Sequence, residues 1–119
     1  MELKKQVCSL ELAKRLKELG VKKESLFWWD YFGSPEYPVR LKRKEDMDFG
    51  YIEKQCSAFT VAELGELLPE EYWSIKSTEP KGLWACIYLG LGIEHLTEST
   101  TEADARAKML VYLLENKLI

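Results

Sequence analysis

The sequence predicts an α+β fold, a small single domain in which about three helices pack on an antiparallel sheet of two β-hairpins. Apolar residues recur with a period near 3.6 close to both ends and in the middle of the chain, which indicates amphipathic helices. Between these segments the period falls to about 2, as expected of strands. The 119 residues are 46% hydrophobic and 31% charged, which is typical of a soluble domain with one core. Residues 1–119 are therefore expected to form one domain.

The first predicted helix begins after Ser9, a residue that can cap a helix N-terminus. Gly20 followed by Val21 is typical of a helix that ends in the left-handed region, with an apolar contact back to Leu16. The apolar face of this helix carries Leu12, Ala13, Leu16 and Leu19.

The middle helix is predicted within "CSAFTVAELGELLP". Thr60 and Glu63 have capping-box spacing, and Phe59 and Leu64 stand where a hydrophobic staple would form. Pro69 is expected to close this helix.

The C-terminal helix begins with Thr101 in capping relation to Asp104. Glu102 with Arg106, and Asp104 with Lys108, are spaced for i,i+4 ion pairs. Alanines in the first turns would let the helix approach a sheet closely. The predicted buried stripe is Ala103, Ala107, Leu110, Val111 and Leu114.

Two hairpins are predicted between the helices. "LFWWDYF" and "YPVRLKRK" are joined by "GSPE", and the proline and lysines of the second strand indicate a sheet edge. "LWACIYL" and "GIEHLTES" are joined through Gly90 and Leu91, a pair suited to a type II′ turn. "YWSIKS" is a further short strand, and Lys44 to Gln55 is predicted to be a loop or a mobile excursion.

The aromatic strand is apolar on both faces. Alternation places Trp28 on one face and Trp29 and Tyr31 on the other, so helices on one side cannot cover them all. Three interpretations stay open: the aromatic side chains are core, they form a homodimer interface, or they stack on a ligand.

The next strand is basic. Arg40, Lys42 and Lys44 would share one face beside the aromatic strand, and aromatic rings next to cations can hold a nucleobase and its phosphates. A solvated edge strand protected by lysines explains the same run. The candidate ligand-binding residues are Trp28, Trp29, Tyr31, Arg40, Lys42 and Arg43.

The second hairpin also has two apolar faces, one of which carries Ala85, Ile87, Leu89 and Leu96. The other carries the candidate interface residues Trp84, Tyr88 and Ile93. With Gly90 and Leu91 as the turn, Cys86 falls opposite His95, the sole histidine. This pair is a candidate nucleophile and base if the register is right, but a packed cysteine and a polar-edge histidine are the favoured interpretation.

Several function classes are disfavoured. The three cysteines are widely spaced without a CxxC pair, which predicts neither a disulfide framework nor a zinc site. No cofactor or metal motif is recognisable. A net charge of -3 argues against extended nucleic-acid binding. No apolar run approaches the roughly 20 residues of a membrane span, so a cytoplasmic protein without a membrane partner is expected.

Three stretches carry a resemblance, namely "VCSLELAKRLKELGVKKESLFWW", "CSAFTVAELGELLP" and "TEADARAKMLVYLLENKLI". They resemble a family of small uncharacterised proteins encoded by bacteriophages and prophages, especially of gut bacteria, and they cover roughly half of the chain. The resemblance supplies no catalytic residues. It implies an accessory protein of a mobile element that acts in the cytoplasm of the host bacterium.

The sequence favours a binding protein over an enzyme. The first hypothesis is a non-enzymatic homo-oligomer that sequesters a small nucleotide-like host defence signal at the aromatic and basic sheet face, or at a subunit junction. The alternative is an inhibitor or adaptor that docks on a host or phage protein. A third hypothesis is a small hydrolase or transferase that uses Cys86 and His95.

Overall fold

The computed structural model describes residues 2–31, 39–70, 72–76, 82–90 and 92–119, and of residues 51, 52 and 73–75 it describes the backbone alone. The helices in this part of the chain are α1 (Leu3–Gln6), α2 (Leu10–Glu18), α3 (Val61–Leu67) and α4 (Glu102–Glu115). The strands are β1 (Phe27–Asp30), β2 (Arg40–Arg43), β3 (Gln55–Ser57), β4 (Tyr72–Lys76), β5 (Trp84–Gly90) and β6 (Ile93–Ser99). The predicted α+β class is confirmed.

The described strands form two antiparallel sheets, in the orders β2-β1-β3 and β4-β5-β6. Both predicted hairpin pairings are present, and β2 is an edge strand as expected. The prediction of a single sheet is wrong, since the described strands form two sheets and β3 occupies the second edge of β1. With a neighbour on each side, β1 cannot pair with the second hairpin. The predicted turn "GSPE" and the adjoining Phe32 and Pro38 lie outside the described residues.

Helix α2 ends as predicted. Gly20 has a φ of +90°, and its N–H and that of Val21 each donate at 3.1 Å to carbonyls of the last turn. These two bonds form a Schellman motif. At the other end the side chain of Ser9 makes no capping hydrogen bond, and its backbone N–H donates to Oδ1 of Asp104 at 2.6 Å. Ser9 thus joins α2 to the first turn of α4.

Helix α3 begins with the predicted capping box. The N–H of Thr60 donates to Oε1 of Glu63 at 2.8 Å, and the N–H of Glu63 donates to Oγ1 of Thr60 at 3.2 Å. Gly65 lies inside this helix, where a Cβ would stand 2.7 Å from both Nη1 of Arg106 and Oη of Tyr72. A larger residue would displace these two side chains from the helix surface.

Helix α4 is central, since it contacts the other three helices and every strand of the second sheet. The hydroxyl of Thr97 donates to the C=O of Ala105 at 2.7 Å, so the first turns approach the sheet closely, as predicted. Val111 and Leu114 are only half-buried because the helix is covered on several sides instead of along one stripe. Its buried residues are Ala103, Ala105, Ala107, Met109, Leu110 and Leu113.

One of the two i,i+4 pairs predicted in α4 is present among the described contacts. Nη2 of Arg106 donates to Oε2 of Glu102 at 3.1 Å. Asp104 and Lys108 instead contact other elements, because Asp104 accepts the hydrogen bond from α2 and Nζ of Lys108 donates to the C=O of Glu98 at 2.8 Å. Both side chains therefore hold α4 against its neighbours.

One apolar core joins the two sheets. The first sheet contributes Trp29 and Cys56, and the second contributes Cys86 and Tyr88. The apolar residues of α2, α3 and α4 fill the space between them.

The segment predicted as a loop, residues 44–55, forms two short 3₁₀ helices, Lys44–Asp46 and Phe49–Lys54, and then enters β3. A 3₁₀ helix has three residues per turn, which explains why neither the α nor the β period was visible. The ring of Phe49 packs edge-on against Trp28, with 5.0 Å between centroids. This segment therefore covers the face of the first sheet that points away from the core.

The register of the second hairpin differs from the prediction. Gly90 is the last residue of β5 and pairs with Ile93, and the loop glycine is Gly92, with a φ of +74°. The predicted turn is thus wrong by one residue, and Leu91 lies outside the described residues. Gly90 has a separate packing role, because a Cβ there would stand 2.5 Å from Oη of Tyr88.

Candidate ligand-binding cleft

The two adjacent tryptophans are buried on opposite faces of β1. Trp28 is 7% exposed and its Nε1–H donates to the C=O of Ser25 at 3.1 Å, while Trp29 is 8% exposed and its Nε1–H donates to the C=O of Cys8 at 2.9 Å. With so little of either side chain exposed, neither indole presents a free ring face on which a ligand could stack. Of the interpretations left open by the sequence, these contacts favour core packing.

Tyr31 is half-buried at the end of β1. Its hydroxyl donates to the C=O of Glu53 at 3.3 Å, and Nζ of Lys14 lies 4.3 Å from the ring centroid. Burial raises the pKa of the phenol, so the hydroxyl remains a donor at neutral pH. Tyr31 is thus engaged within the chain on both its polar and its aromatic side.

The basic strand does not converge on the tryptophans. Nζ of Lys42 lies 3.6 Å from Asp30, and Arg43 pairs with two acidic residues of the following 3₁₀ helix, Glu45 and Asp46, at 3.0 and 3.1 Å. Arg40 is exposed and makes no ion pair with another described residue. This arrangement favours the solvated edge strand over the phosphate-binding strand.

A cleft of about 220 Å³ lies elsewhere on the first sheet, at the open edge of β3. The end of α2 and the segment that follows it form one wall, and β3 with Trp28 forms the other. We call it the α2–β3 cleft. Its lining residues are Ala13, Lys17, Val21, Lys22, Lys23, Glu24, Trp28, Gln55, Cys56, Ser57 and Phe59.

Gln55 is the unusual residue of the α2–β3 cleft. It is only 1% exposed, and its Nε2 donates to the C=O of Asp48. Its Oε1 is buried and accepts no hydrogen bond from any described residue. A buried acceptor without a donor costs about 1–3 kcal/mol, so a group that supplies one would be stabilised here.

Three lysines stand at the rim of the cleft. Nζ of Lys17 donates to the C=O of Gln55 at 2.8 Å, and Lys23 forms an ion pair with Glu66. Lys22 is exposed and makes no ion pair with another described residue. The carboxylate of Glu24, which also lines the cleft, pairs with Lys44. The rim therefore presents positive charge, with Lys22 best placed to meet an incoming anion.

The backbone of β3 adds hydrogen-bonding groups to the same edge. The N–H of Ala58 donates to Phe27 and the N–H of Tyr31 donates to Lys54, both at 2.8 Å. Since paired and unpaired positions alternate in an antiparallel ladder, Ser57 directs its N–H and C=O away from β1. A planar molecule at this edge would meet one donor and one acceptor of the backbone.

Glu63 holds the chain that leads into β1. Its carboxylate accepts hydrogen bonds from Oγ of Ser25 at 2.6 Å and from the N–H of Leu26 at 3.1 Å, in addition to the bond from Thr60. Burial by itself would raise the pKa of this carboxyl, but the hydrogen bonds from Ser25, Thr60 and Leu26 outweigh it and lower the pKa. These hydrogen bonds fix the chain between Glu24 and β1 to α3.

The register places Cys86 opposite Thr97 and His95 opposite Tyr88, so the predicted direct pairing of Cys86 with His95 is corrected. Both residues lie on the face of the sheet that meets α4, but they are diagonal neighbours and not a directly opposed pair. The ring of His95 stacks on Tyr112 with 3.5 Å between centroids, and Cys86 is fully buried. These positions favour a packed cysteine and a packed histidine over a nucleophile and its base.

The other two thiols lie in the core near the first sheet. Burial raises the pKa of Cys8 to about 12 and that of Cys56 to about 11. Both thiols are therefore protonated at neutral pH and react slowly with electrophiles.

The candidate interface residues lie on the α4 side of the second sheet. Tyr88 is buried in the core, and Trp84 and Ile93 are half-buried. Tyr88 is therefore unavailable to another subunit, because α4 already covers it. Trp84 lines a second cavity of about 340 Å³ near the start of α4.

The sequence did not point to the α2–β3 cleft. Gln55 belongs to a residue type that is mostly exposed, and nothing local indicates its burial. The pair Lys22 and Lys23, directly after the helix stop at Gly20, was the one signal available.

Within the described residues, no helix has both the length and the apolar character needed to cross a bilayer. The same part of the chain contains no group of three or more His, Cys, Asp or Glu side chains arranged to hold a metal ion. Comparisons of the chain with protein-family models, curated proteins and solved structures give no match.

Proposed function

We propose that the protein is a non-catalytic binding protein that holds a small nucleotide-like ligand in the α2–β3 cleft. The observation that carries this proposal is Oε1 of Gln55, an acceptor without a described partner on a residue that lines a lysine-rimmed cleft. This oxygen is buried, so a ligand reaches it once the side chains over it move, and an N–H donated to it would then remove the cost of leaving it unsatisfied.

The polar groups define the chemical class of the ligand. Gln55 needs a donor, Ser57 offers a backbone donor and acceptor, and Lys22 attracts an anion. A nucleobase with an exocyclic amino group supplies the first two contacts, and a phosphate supplies the third.

The size of the cleft limits how much of the ligand enters. Pockets for drug-sized ligands measure about 300–1,000 Å³, whereas this cleft measures about 220 Å³. A planar base fits such a volume, while sugar and phosphate would remain at the rim beside the lysines. The ligand is therefore expected to be a mononucleotide or one end of a larger nucleotide.

The wider hypotheses from the sequence stay predictions. A phage accessory protein that sequesters a host defence signal would use such a cleft, as would any other nucleotide-binding protein. Homo-oligomer formation and the cytoplasmic location likewise remain to be measured. Relative to the sequence-based hypothesis, the proposed site moves from the paired cations Lys42 and Arg43 to Lys22 and Gln55.

Calorimetric titration with AMP, adenosine and ribose 5-phosphate tests the proposal. AMP is expected to bind more tightly than either fragment, because only AMP offers both base and phosphate. Lys22→Ala is expected to weaken AMP about tenfold, the effect of one charge-assisted contact of about 1.5 kcal/mol, and to leave adenosine unchanged. Gln55→Met is expected to weaken both.

Lys4→Ala is the matched control, since Lys4 is an exposed lysine of α1 outside the cleft. Native mass spectrometry of protein purified gently from bacterial cells adds a second readout, in which a discrete excess mass identifies a retained ligand. No retained mass, together with no binding of AMP or adenosine, would contradict the proposed function.

A further inference from the structure

Within the described part of the chain, apolar side chains are exposed on one face of the second sheet. Residues facing α4 alternate along β5 and β6 with residues that point the opposite way. On the outward side Leu89 is 40% exposed and Leu96 is 46% exposed, with Ile87 directly opposite Leu96. We call this surface the outer face. Its residues with described side chains on β5 and β6 are Ala85, Ile87, Leu89, Glu94, Leu96 and Glu98.

The charges on the outer face have one sign. Glu94 and Glu98 flank Leu96 on β6, and both are exposed. Neither forms an ion pair with another described residue, and β5 and β6 place no basic side chain on this face among those that the structure describes. The outer face is thus an apolar stripe bordered by two exposed carboxylates that form no ion pair with a described residue.

Two occupants fit this surface poorly. A second copy packed face to face would bring four carboxylates together around one apolar centre, which is electrostatically unfavourable. A strand added to the edge of β6 would meet Lys108, whose Nζ already donates to the C=O of Glu98 at 2.8 Å on that edge. Lysines at an edge strand oppose such additions.

We propose that the outer face docks a basic amphipathic helix of another protein. Its apolar side chains would cover Ile87, Leu89 and Leu96, and its lysines or arginines would pair with Glu94 and Glu98. Four residues of strand separate the two carboxylates by roughly 13 Å. Cations about eight residues apart on a helix span roughly 12 Å and lie on one side of it.

A designed peptide tests this surface directly. The probe is an 18-residue helix of leucine, alanine and lysine with two lysines eight positions apart beside its leucines, and the matched peptide has glutamate in place of lysine. Fluorescence anisotropy is expected to detect binding of the lysine peptide and not of the glutamate peptide. Equal binding of the two peptides, or binding of neither, would overturn the proposal.

Variants of the protein locate the binding. Replacing Glu94 and Glu98 together by glutamine is expected to raise the Kd of the lysine peptide about fivefold or more, and Leu96→Ser about tenfold. Leu26→Ser, at an exposed leucine directly before β1 and away from the outer face, is the control that should leave the Kd unchanged. Unchanged binding in the glutamine variant would exclude the charge pairing on which the proposal depends.

Sedimentation of the protein alone tests whether a second copy of the chain occupies the outer face. A monomer, or an oligomer that persists in Leu96→Ser, leaves the outer face available to the helix. An oligomer that dissociates in Leu96→Ser would assign the face to a second copy and overturn the proposal. These outcomes are independent of AMP binding, because no outer-face residue lines the α2–β3 cleft.

Discussion

The two sheets begin from similar sequence patterns and end in different surroundings. In both, the central strand is apolar on its two faces. In the first sheet the core covers Trp29 and the 3₁₀ segment covers Trp28 through Phe49. In the second sheet α4 covers Tyr88, while Leu96 on the opposite side remains 46% exposed.

Apolar alternation therefore predicts a strand but does not predict which element covers it. The first sheet obtains its second cover from its own connection between β2 and β3. The second sheet has a two-residue connection between β5 and β6, which is too short to cover a face. The exposed leucines of β5 and β6 are a reason to look for a partner.

The largest test of the comparison is Trp29→Ala. Loss of a buried tryptophan from the shared core is expected to lower the free energy of unfolding by about 3–5 kcal/mol. Leu89→Ala, on the outer face, is the control and should change it by less than about 0.5 kcal/mol. Urea unfolding measures both, and similar losses in the two variants would mean that the second sheet is also covered on both sides.

A smaller decrease in the free energy of unfolding is expected from Glu63→Gln, which weakens the connection between α3 and β1. Loss of this charged acceptor should cost about 1–2 kcal/mol at neutral pH. Because the pKa of Glu63 is lowered from 4.5, its stabilisation is present above that pH and is lost as the pH falls through the folded-state value.

Urea unfolding at several pH values measures this effect as the gap in the free energy of unfolding between the wild-type protein and Glu63→Gln. The gap is expected to close below about pH 4.5 and to stay constant above it. A gap that widened on acidification would show that the carboxylate is not stabilised by its hydrogen bonds.

Phe49→Ala tests the cover on the far side of the first sheet. The edge-on contact with Trp28 is worth about 0.5–1.5 kcal/mol beyond burial, and Phe49 itself is partly exposed. We expect a loss of about 1 kcal/mol and faster hydrogen exchange at Nε1 of Trp28 measured by NMR. Unchanged exchange would indicate that another element protects this indole.

The smallest effect is expected from Leu96→Ser. Removing an exposed leucine should change the free energy of unfolding by less than about 0.5 kcal/mol. Thermal unfolding of the variant without a partner provides the measurement. A large loss would show that Leu96 packs within the monomer, and the two sheets would then both be covered on two faces.

The elements with local signals were predictable from the sequence. The capping box of Thr60 and Glu63 and the helix stop at Gly20 each depend on residues within one turn, and both are present in the structure. Strand pairing within each hairpin was also predictable, because adjacent strands pair when the connection is short.

The site required information that no local pattern contains. β3 has three residues, which are too few to reveal an alternation. Its pairing with β1 brings Gln55 next to α2. Lys17 and Gln55 are 38 positions apart. The register of the second hairpin depended on the choice between Gly90 and Gly92 as the loop glycine, and a shift of one residue changed the partner of His95.

Binding in the α2–β3 cleft is tested most directly by observing the side-chain amide of Gln55 by NMR while AMP is added. Binding in the α2–β3 cleft predicts saturable shifts of this amide and of the backbone N–H of Ser57, reduced in Lys22→Ala and preserved in Lys4→Ala. Saturable shifts elsewhere, with the Gln55 amide unmoved, would contradict the proposed site.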